Sequence, residues 1–479
     1  MARVVMVGGG VVGLCGALML GRDGHEVTVL ERDPTPPTDP EGAWDGWERR
    51  GVNQFRMLHF FASRFREVMQ TNVPEVMTAL EAAGARSVNP FRDAPAEVTG
   101  GFRETDVQYD AVTARRPVAE AAIARVVEGA DNVTVRRGVA VAGLLTGEPA
   151  SDGTPHVIGV RTDAGDEIHA DVVIDAGGRR STLPSLLSDI GARAPIEEKE
   201  DCGFVYYGRH FRSGDGSTPP AFGGLLMPYE SLSILTLPAD NGTWGVGVVV
   251  SAKDKALRGL KDVDTWTSVV KGYPLVAHWL DGEPLDDGVA IMAKIEDRHR
   301  TFVIDGKPVA TGVLPLADSW ACTNPSVGRG ISIGVIHAAA LRDLLHDFRG
   351  DGSTNGGAPA DPIALARDWH DATMATVEPW YRGTLAFDQG RLAQIHAEMD
   401  GSAFEPEAEY EMTCALQAAA MKDPEMLRTF LDIAGVMEVP ENVFARPGLF
   451  ERVIELGSGW RDEPLPGPSR AELLAVVGA

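Results

Sequence analysis

The sequence predicts an α/β protein with a parallel-sheet core, a strand-rich insertion and a helical C-terminal part. Three observations carry this. The chain opens with a strand, a glycine cluster, a helix and a second strand in quick succession. Strand-like apolar runs recur between Thr134 and Leu314. Beyond Pro362 nearly every segment has helical periodicity.

Arg3 to Val7 is β-branched and bounded by glycine, as a buried strand requires. Val11 to Gly21 reads as a helix and Glu26 to Glu31 as a strand with Val27 and Val29 inward, completing a β-α-β unit. Pro34, Pro36, Pro37 and Pro40 then break the chain. Further strands are expected at 134–135 with 139–145, 157–162, 172–175, 233–237, 244–251 and 309–314. Helices are expected at 64–69, 75–83, 118–127 and 336–345. Residues 349–362 read as a loop by composition. Helices follow at 363–377, 391–399, 407–420, 424–434 and 450–456, and a last one starts at Ser469, which forms a capping-box pattern with Glu472.

Among 479 residues, 69 acidic side chains oppose 44 basic ones, a net charge of −25. That field repels nucleic acid and anionic membrane surfaces. The 44% hydrophobic content excludes a disordered acidic chain. Cys15, Cys202, Cys322 and Cys414 lie far apart with no C-x-x-C pair, so neither a disulfide framework nor a cysteine zinc site is expected, and a reducing cytosol fits. The apolar run Val4 to Leu20 is too short and too rich in glycine for an integral membrane span.

Gly8-Gly9-Gly10-Val11-Val12-Gly13 satisfies G-x-G-x-x-G between a strand and a helix. Gly8 permits the tight turn, Gly10 lets the backbone approach a pyrophosphate, and Gly13 allows close helix–strand packing. The helix N-terminus then faces the phosphate charge. Glu31 ends the second strand, 18 residues beyond Gly13, where it can accept hydrogen bonds from ribose hydroxyls. This pattern fits NAD or FAD and disfavours NADP, whose 2′-phosphate Glu31 would repel. Two later segments extend it. Val172–Ile174 ends in Asp175-Ala176-Gly177-Gly178-Arg179-Arg180-Ser181, and Ala317-Asp318-Ser319 leads through Asn324-Pro325-Ser326-Val327-Gly328-Arg329-Gly330 into an apolar helix. The second is another ready-made anion site.

These three segments resemble those of FAD-dependent monooxygenases of the para-hydroxybenzoate hydroxylase fold. The branch is the one with squalene- and polyether-type epoxidases, flavin-dependent halogenases and geranylgeranyl reductases. The middle motif, D-A-x-G-R-x-S, is matched by Asp175, Ala176, Gly178, Arg179 and Ser181. The late motif is matched by Asp318, Ser319, Asn324, Pro325, Gly328 and Gly330. Arg50-Gly51-Val52-Asn53-Gln54 to His59 resembles the R-G-V-x-Q…H stretch that passes the isoalloxazine. One departure stands out: Ala317 stands where the family usually has glycine, and a methyl there is tolerable if φ is negative.

The resemblance implies a Rossmann-like FAD-binding domain of residues 1–75, 111–190 and 291–350. A β-sheet substrate domain of 76–110 and 191–290 and a helical region of 351–479 complete the chain. Asp318 would hydrogen-bond the ribityl chain, and the Gly328–Gly330 backbone would meet the N1–C2=O edge of the flavin. Arg116, or its neighbour Arg115, would open a helix beside the cofactor, and Val139 or Val141 would flank adenine. Val11, Val12, Arg32, Arg50, Ala176, Gly177, Pro325 and Ile331 complete the expected cofactor-binding set.

The implied reaction inserts one oxygen atom from O2 into a mostly apolar organic substrate through a flavin C4a-(hydro)peroxide, and it asks for little acid–base machinery. His59, Arg56, Gln54 and Pro325 are the candidate catalytic residues, although His59 could equally be a helix-end histidine bonded to backbone. Phe60, Phe61, Tyr206, Tyr207, Phe222 and Trp244 are candidate substrate walls or plain core. On a strand, Tyr206 and Tyr207 must face opposite ways. Cys322 reads as a small buried thiol, and Arg298-His299-Arg300 as a solvated cluster before a strand or as a group that meets a phosphate. No second G-x-G-x-x-G exists for NAD(P)H, and the D-A-x-G-R-x-S form resembles that of members fed reduced FAD by a separate flavin reductase, the partner this resemblance implies. The C-terminal helices are expected either to cover the core or to mediate a homodimer.

Other functions fit less well. A geranylgeranyl-type reductase or flavin oxidase shares the motifs. A halogenase needs W-x-W-x-I-P, and Trp44 and Trp47 are not followed by Ile-Pro. A non-catalytic binding protein that chaperones prenylated partners would not need the complete flavin-edge loop. Gly330-Ile331-Ser332-Ile333-Gly334 matches the G-x-S-x-G nucleophile elbow, but the preceding turn residues place Ser332 inside a helix start.

Overall fold

The computed structural model describes residues 1–325, 327–350, 354–355, 358–359 and 361–478. The chain begins with β1 (Arg3–Val7), α1 (Val11–Arg22) and β2 (Glu26–Glu31). Helix α2 (Arg116–Glu128) leads into β3 (Val133–Arg137), and a three-stranded meander leads into β4 (Val172–Asp175). An insertion then supplies β5 (Phe204–Arg212), β6 (Leu226–Tyr229), β7 (Leu232–Pro238) and β8 (Thr243–Ser251). The chain returns through β9 (Val313–Pro315) to α3 (Gly330–Gly350), α4 (Pro362–Thr376) and α5 (Glu378–Asp400).

The core sheet is wholly parallel, in the order β9-β4-β1-β2-β3. Its strands are valine-rich because both faces are covered. Val4, Met6, Val27, Val29 and Ile174 pack under α1, α2 and α3, while Val5, Leu30 and Val173 pack under the meander. Leu365 and Trp369 of α4 join the same core, so α4 covers the parallel sheet, whereas Ile395 of α5 and Leu473 near the end of the chain pack against the insertion.

Helices α1 and α3 meet through small residues. A Cβ at Gly334 would lie 2.5 Å from Val12 Cγ2, and one at Gly16 would lie 3.5 Å from Ala338 Cβ. Moving four residues along one helix moves four along the other, so the two run parallel and their N-termini share one end.

In the insertion, antiparallel strands run in the order β6-β7-β8-β5. Tyr207 faces a core with Trp266 and Phe211, and Tyr206 faces the other side with Met57 and Ile395, as strand alternation requires. A Cβ at Gly245 would lie 2.5 Å from Leu58 Cγ, so a missing side chain on β8 seats the 50–59 stretch against this sheet.

Several expectations change. The helix expected at 391–399 begins at Glu378, with Pro379 in its first turn. Gly390, which weakens the sequence signal, is required because a Cβ there would overlap the Tyr410 ring. The expected solvated cluster is a buried strand: His299 and Arg300 are each 4% exposed. Arg300 donates to Glu197 at 2.7 Å and to Ser319 O at 3.0 Å, which satisfies its charge there. In the expected 349–362 loop, Thr354–Asn355 pairs with Ala358–Pro359, while 351–353, 356–357 and 360 lie outside the described residues. The Ser469–Glu472 capping box is present at Arg470–Val477. Among the described residues no helix is long and apolar enough to cross a membrane.

Burial holds three imidazoles, His59, His210 and His337, down at about 3 from an ordinary 6.5. Below about pH 6.5 the unfolded chain takes protons that these sites refuse, so stability falls as the pH falls, by up to ~1.4 kcal/mol per unit for each histidine. Burial raises the Asp297 carboxyl to about 6, which offsets one of the three protons between about 6 and its ordinary 3.8. The urea midpoint is therefore expected to be lower at pH 5 than at pH 7.5. An equal or higher midpoint at pH 5 would show that the imidazoles are not buried neutral.

Candidate dinucleotide site

The three sequence motifs converge at the carboxyl ends of β1, β4 and β9, outside the sheet, where parallel α/β folds bind ligands. A Cβ at Gly8 would overlap Ala176 O, so the first and second motifs touch only because position 8 has no side chain. Gly8 also sits at φ +112, a conformation that glycine alone adopts freely. Gly13 is equally constrained, since a Cβ there would overlap Gly8 O. The second and third motifs are joined by Ser319 Oγ, which donates to Asp175 O at 2.5 Å and accepts from Leu316 N at 2.8 Å. The Asp175 carboxylate accepts from Gly177 N at 3.0 Å and from Ser181, folding the middle motif onto itself.

Two positions are open in the way a bound phosphate requires. Nothing lies within 4 Å of a Cβ built on Gly10 or on Gly330, the residues at the starts of α1 and α3. No side chain caps α1. A helix start without a cap leaves backbone N–H groups in want of an acceptor, and an anion supplies one. The residues present therefore fit a dinucleotide.

Glu31 lies beside this opening. Its Oε2 accepts from Gly9 N at 2.9 Å and from Arg49, and its Oε1 accepts from Asp33 N at 2.8 Å. Three of roughly four acceptor sites are filled, which leaves about one for a ribose hydroxyl. Arg49 also pairs with Glu120, whose other oxygen accepts from Arg116 Nε at 2.9 Å. Arg116 in turn donates to His59 Nε2 at 3.0 Å, and His59 Nδ1 donates to Met57 O at 2.9 Å. The result is a buried chain, Glu31–Arg49–Glu120–Arg116–His59, of two anions, two cations and a neutral imidazole. Burial, reinforced by Arg116, keeps His59 neutral. Although burial favours the neutral acid, Arg49 and Arg116 hold the Glu120 carboxyl below its ordinary range.

The late motif bends at Ala317, whose φ is +53. The condition of negative φ is not met: this alanine is left-handed, at a cost of roughly 1–2 kcal/mol relative to a right-handed residue. Its methyl points toward the gap left by Gly334, 3.3 Å from where a Cβ would be. Asp318 follows with its side chain 39% exposed in the concavity and Arg179 Nε 3.9 Å away. Crowding by protein raises its pKa, against the pull of Arg179. Gly328 N donates to Pro325 O at 3.0 Å, closing the turn before α3. Gly328 is left-handed, at φ +67, and a Cβ there would lie 3.3 Å from Phe60 Cβ. Asn324 N donates to Asp297 at 2.6 Å, and Tyr206 donates to Asn324 Oδ1 at 2.5 Å, tying the loop to β5.

The remaining expected residues are distributed less favourably. Arg50 and Arg32 are exposed, and the arginine turned inward is Arg49. Arg56 donates to Trp44 O and, at 3.0 Å, to Trp47 O, and so fastens its own segment. Gln54 lies in the turn closed by Met57 N and Gln54 O at 3.0 Å. Val11 is buried, Val12 meets Gly334, and Ile331 packs against the core. Val139 N donates to Glu31 O at 3.0 Å, and Val141, half-buried, opens the first strand of the meander. Phe222 is 59% exposed and Trp244 is core, so neither lines the cleft. Cys322 is buried. Ser332 is in α3 and accepts from Ala62 N at 3.0 Å, which removes the nucleophile elbow. Sequence reading missed Arg49, Glu120, Asp297 and His337. The spacing of Glu120, four residues after Arg116 on a helix, was the one available signal.

No protein-family model matches the chain. Protein Rv3254 of Mycobacterium tuberculosis is 26% identical over 396 residues, spanning 79% of this chain and 78% of that protein. A flavoprotein/dehydrogenase structure from Cytophaga hutchinsonii is similar with TM-score 0.63 at 14% identity, covering 96% of this chain and 100% of the other. The flavin-dependent brominase Bmp2 gives 0.59 at 16% identity, with 94% and 98% covered. A probable FAD-dependent monooxygenase, pqsL of Pseudomonas aeruginosa, gives 0.56 at 14% identity, with 83% and 99% covered. The chain shares the fold of these flavoprotein structures. That agrees with the resemblance carried by the three motifs.

Because Glu120 is fully buried and serves two arginines, Glu120→Ala is expected to cost ~3–5 kcal/mol of unfolding free energy. Urea unfolding of the variant measures it. A loss below about 1 kcal/mol, the range of exposed pairs, would mean that Arg49 and Arg116 find other partners.

Proposed function

We propose that the protein is an FAD-dependent monooxygenase, hydroxylase- or epoxidase-like, acting on a mostly apolar organic substrate. The observation that carries this reading is the shared end of α1 and α3, where Gly10 and Gly330 leave the approach to both helix starts bare. Bound and reduced, FAD would supply two electrons to O2, one oxygen atom going to the substrate and the other to water.

This chain's own residues bind, orient and exclude water. Backbone amides from Gly10 to Gly13 take the pyrophosphate, and the free acceptor site of Glu31 takes an adenosine ribose hydroxyl. Asp318 accepts from the ribityl hydroxyls, and the amides of Gly328 to Gly330 face the pyrimidine edge of the flavin. Behind that loop Phe60, Trp380, Val436 and Ile333 pack together as an apolar wall. A dry wall matters because water diverts activated oxygen from the substrate. His59 is not a proton shuttle here: both ring nitrogens are engaged and burial holds its pKa at about 3. It orients Arg116 instead. Electrons come from a separate reductase, in keeping with the single G-x-G-x-x-G.

Three measurements test this. The protein titrated with FAD is expected to perturb the visible flavin spectrum; no binding by the folded protein disproves the reading. Gly10→Ala, whose Cβ has no protein atom within 4 Å, is expected to fold normally and to bind FAD about tenfold more weakly or worse. With reduced FAD, ¹⁸O₂ and candidate alkenes or phenols, the product is expected to carry one ¹⁸O. Rapid NAD(P)H oxidation by the protein alone would instead remove the separate reductase.

A further inference from the structure

The bend that presents Asp318 departs from its motif in sequence and from ordinary alanine in geometry. Ala317 holds φ +53, where a glycine would rest without strain. Something must hold it there. Its N–H donates to His337 Nδ1 at 3.0 Å. His337 lies on α3, fully buried, with Nε2 2.9 Å from Thr373 Oγ1. Since Nδ1 accepts, Nε2 carries the proton and donates to Thr373, whose hydroxyl donates to Trp369 O at 2.7 Å. The imidazole lies flat on the Trp369 indole, with ring centroids 4.3 Å apart and planes 8° from parallel. That indole N–H donates to Pro315 O at 3.0 Å. The backbone is therefore gripped at Pro315 and at Ala317, on both sides of Leu316, by one stack that joins α3 to α4.

We infer that His337 is a positioning residue that clamps the left-handed Ala317 bend and so holds Asp318 in place for the sugar chain of FAD. The inference rests on the FAD reading above. Burial supports it by keeping the imidazole neutral, so that Nδ1 remains an acceptor at any physiological pH. The clamp is needed because position 317 is alanine: with glycine the bend relaxes into the same conformation unaided. Ala317 and His337 are then coupled, and the coupling separates a clamp from a mere packing role.

The test is a double-mutant cycle on the full chain: wild type, H337L, A317G and H337L/A317G. FAD dissociation is read by flavin fluorescence, and urea unfolding is read without FAD. H337L is expected to weaken FAD at least about tenfold, A317G to bind as tightly as wild type or tighter, and the double variant to return to within about threefold of A317G. A double variant as weak as H337L overturns the inference, because a packing defect at His337 would persist whatever stands at 317. If H337L does not fold, T373V carries the same cycle by removing the group that fixes the imidazole proton. Failure of the wild type to bind FAD would sink the monooxygenase reading, and the unfolding arm would then decide the clamp. Equal losses of stability in the wild-type and A317G backgrounds would overturn it as well.

Discussion

The close, parallel approach of α1 and α3 is the constraint on which the rest depends. Helices packed through ordinary side chains sit roughly 8–10 Å apart, and glycine and alanine at the crossing allow less. Gly16 against Ala338 and Gly334 against Val12 bring both N-termini to one side of the sheet. Two parallel macrodipoles side by side repel, and most strongly at their ends, where positive partial charge collects. An anion between those ends relieves the repulsion, so the packing that closes the core also prepares an anionic site.

The buried ion chain has a complementary role. Glu31, Arg49, Glu120 and Arg116 balance one another, two charges against two, so neither arginine is left as a free cation within this chain. The negative charge of a dinucleotide then falls to backbone amides, which are fixed in direction. Arginines freed of their carboxylates could pull a phosphate out of register. Buried ion pairs add little net stability compared with apolar packing, and their cost is justified where they fix geometry. This chain fixes the Arg49 segment, the start of α2 and the tautomer of His59 in one connected unit.

Much of this was legible in the sequence because glycine and acid positions are dictated by backbone geometry. Gly8, Gly13 and Asp175 could be read directly, since each answers a local backbone demand that no other residue meets as well. What escaped was decided by tertiary direction. Arg49 and Arg50 are adjacent in an irregular segment with no periodicity to say which turns inward, and the one without a motif position does. His299 and Arg300 lie in a run of charges that reads as surface, yet Glu197 and the Ser319 carbonyl compensate the burial of Arg300. The start of α5 was hidden by Gly383 and Gly390, although Gly390 serves only to admit the Tyr410 ring. Composition reports how polar a segment is; it does not report which partners it will find.

Ala317 shows how a motif departure should be weighed. Read alone, a methyl at a glycine position threatens the cleft. The structure directs that methyl toward Gly334, itself a glycine because Val12 leaves no room for more, so the opening between the motifs stays clear. The cost of the left-handed alanine is met elsewhere, by an imidazole that accepts its N–H and by an indole that fixes the strand before it. Trp369 and Thr373 belong to α4, in the part of the chain beyond every recognisable motif. Helix α4 therefore does more than cover the sheet: it closes the set of hydrogen bonds that sets the angle of Asp318. A segment without a motif can thus determine whether a motif functions.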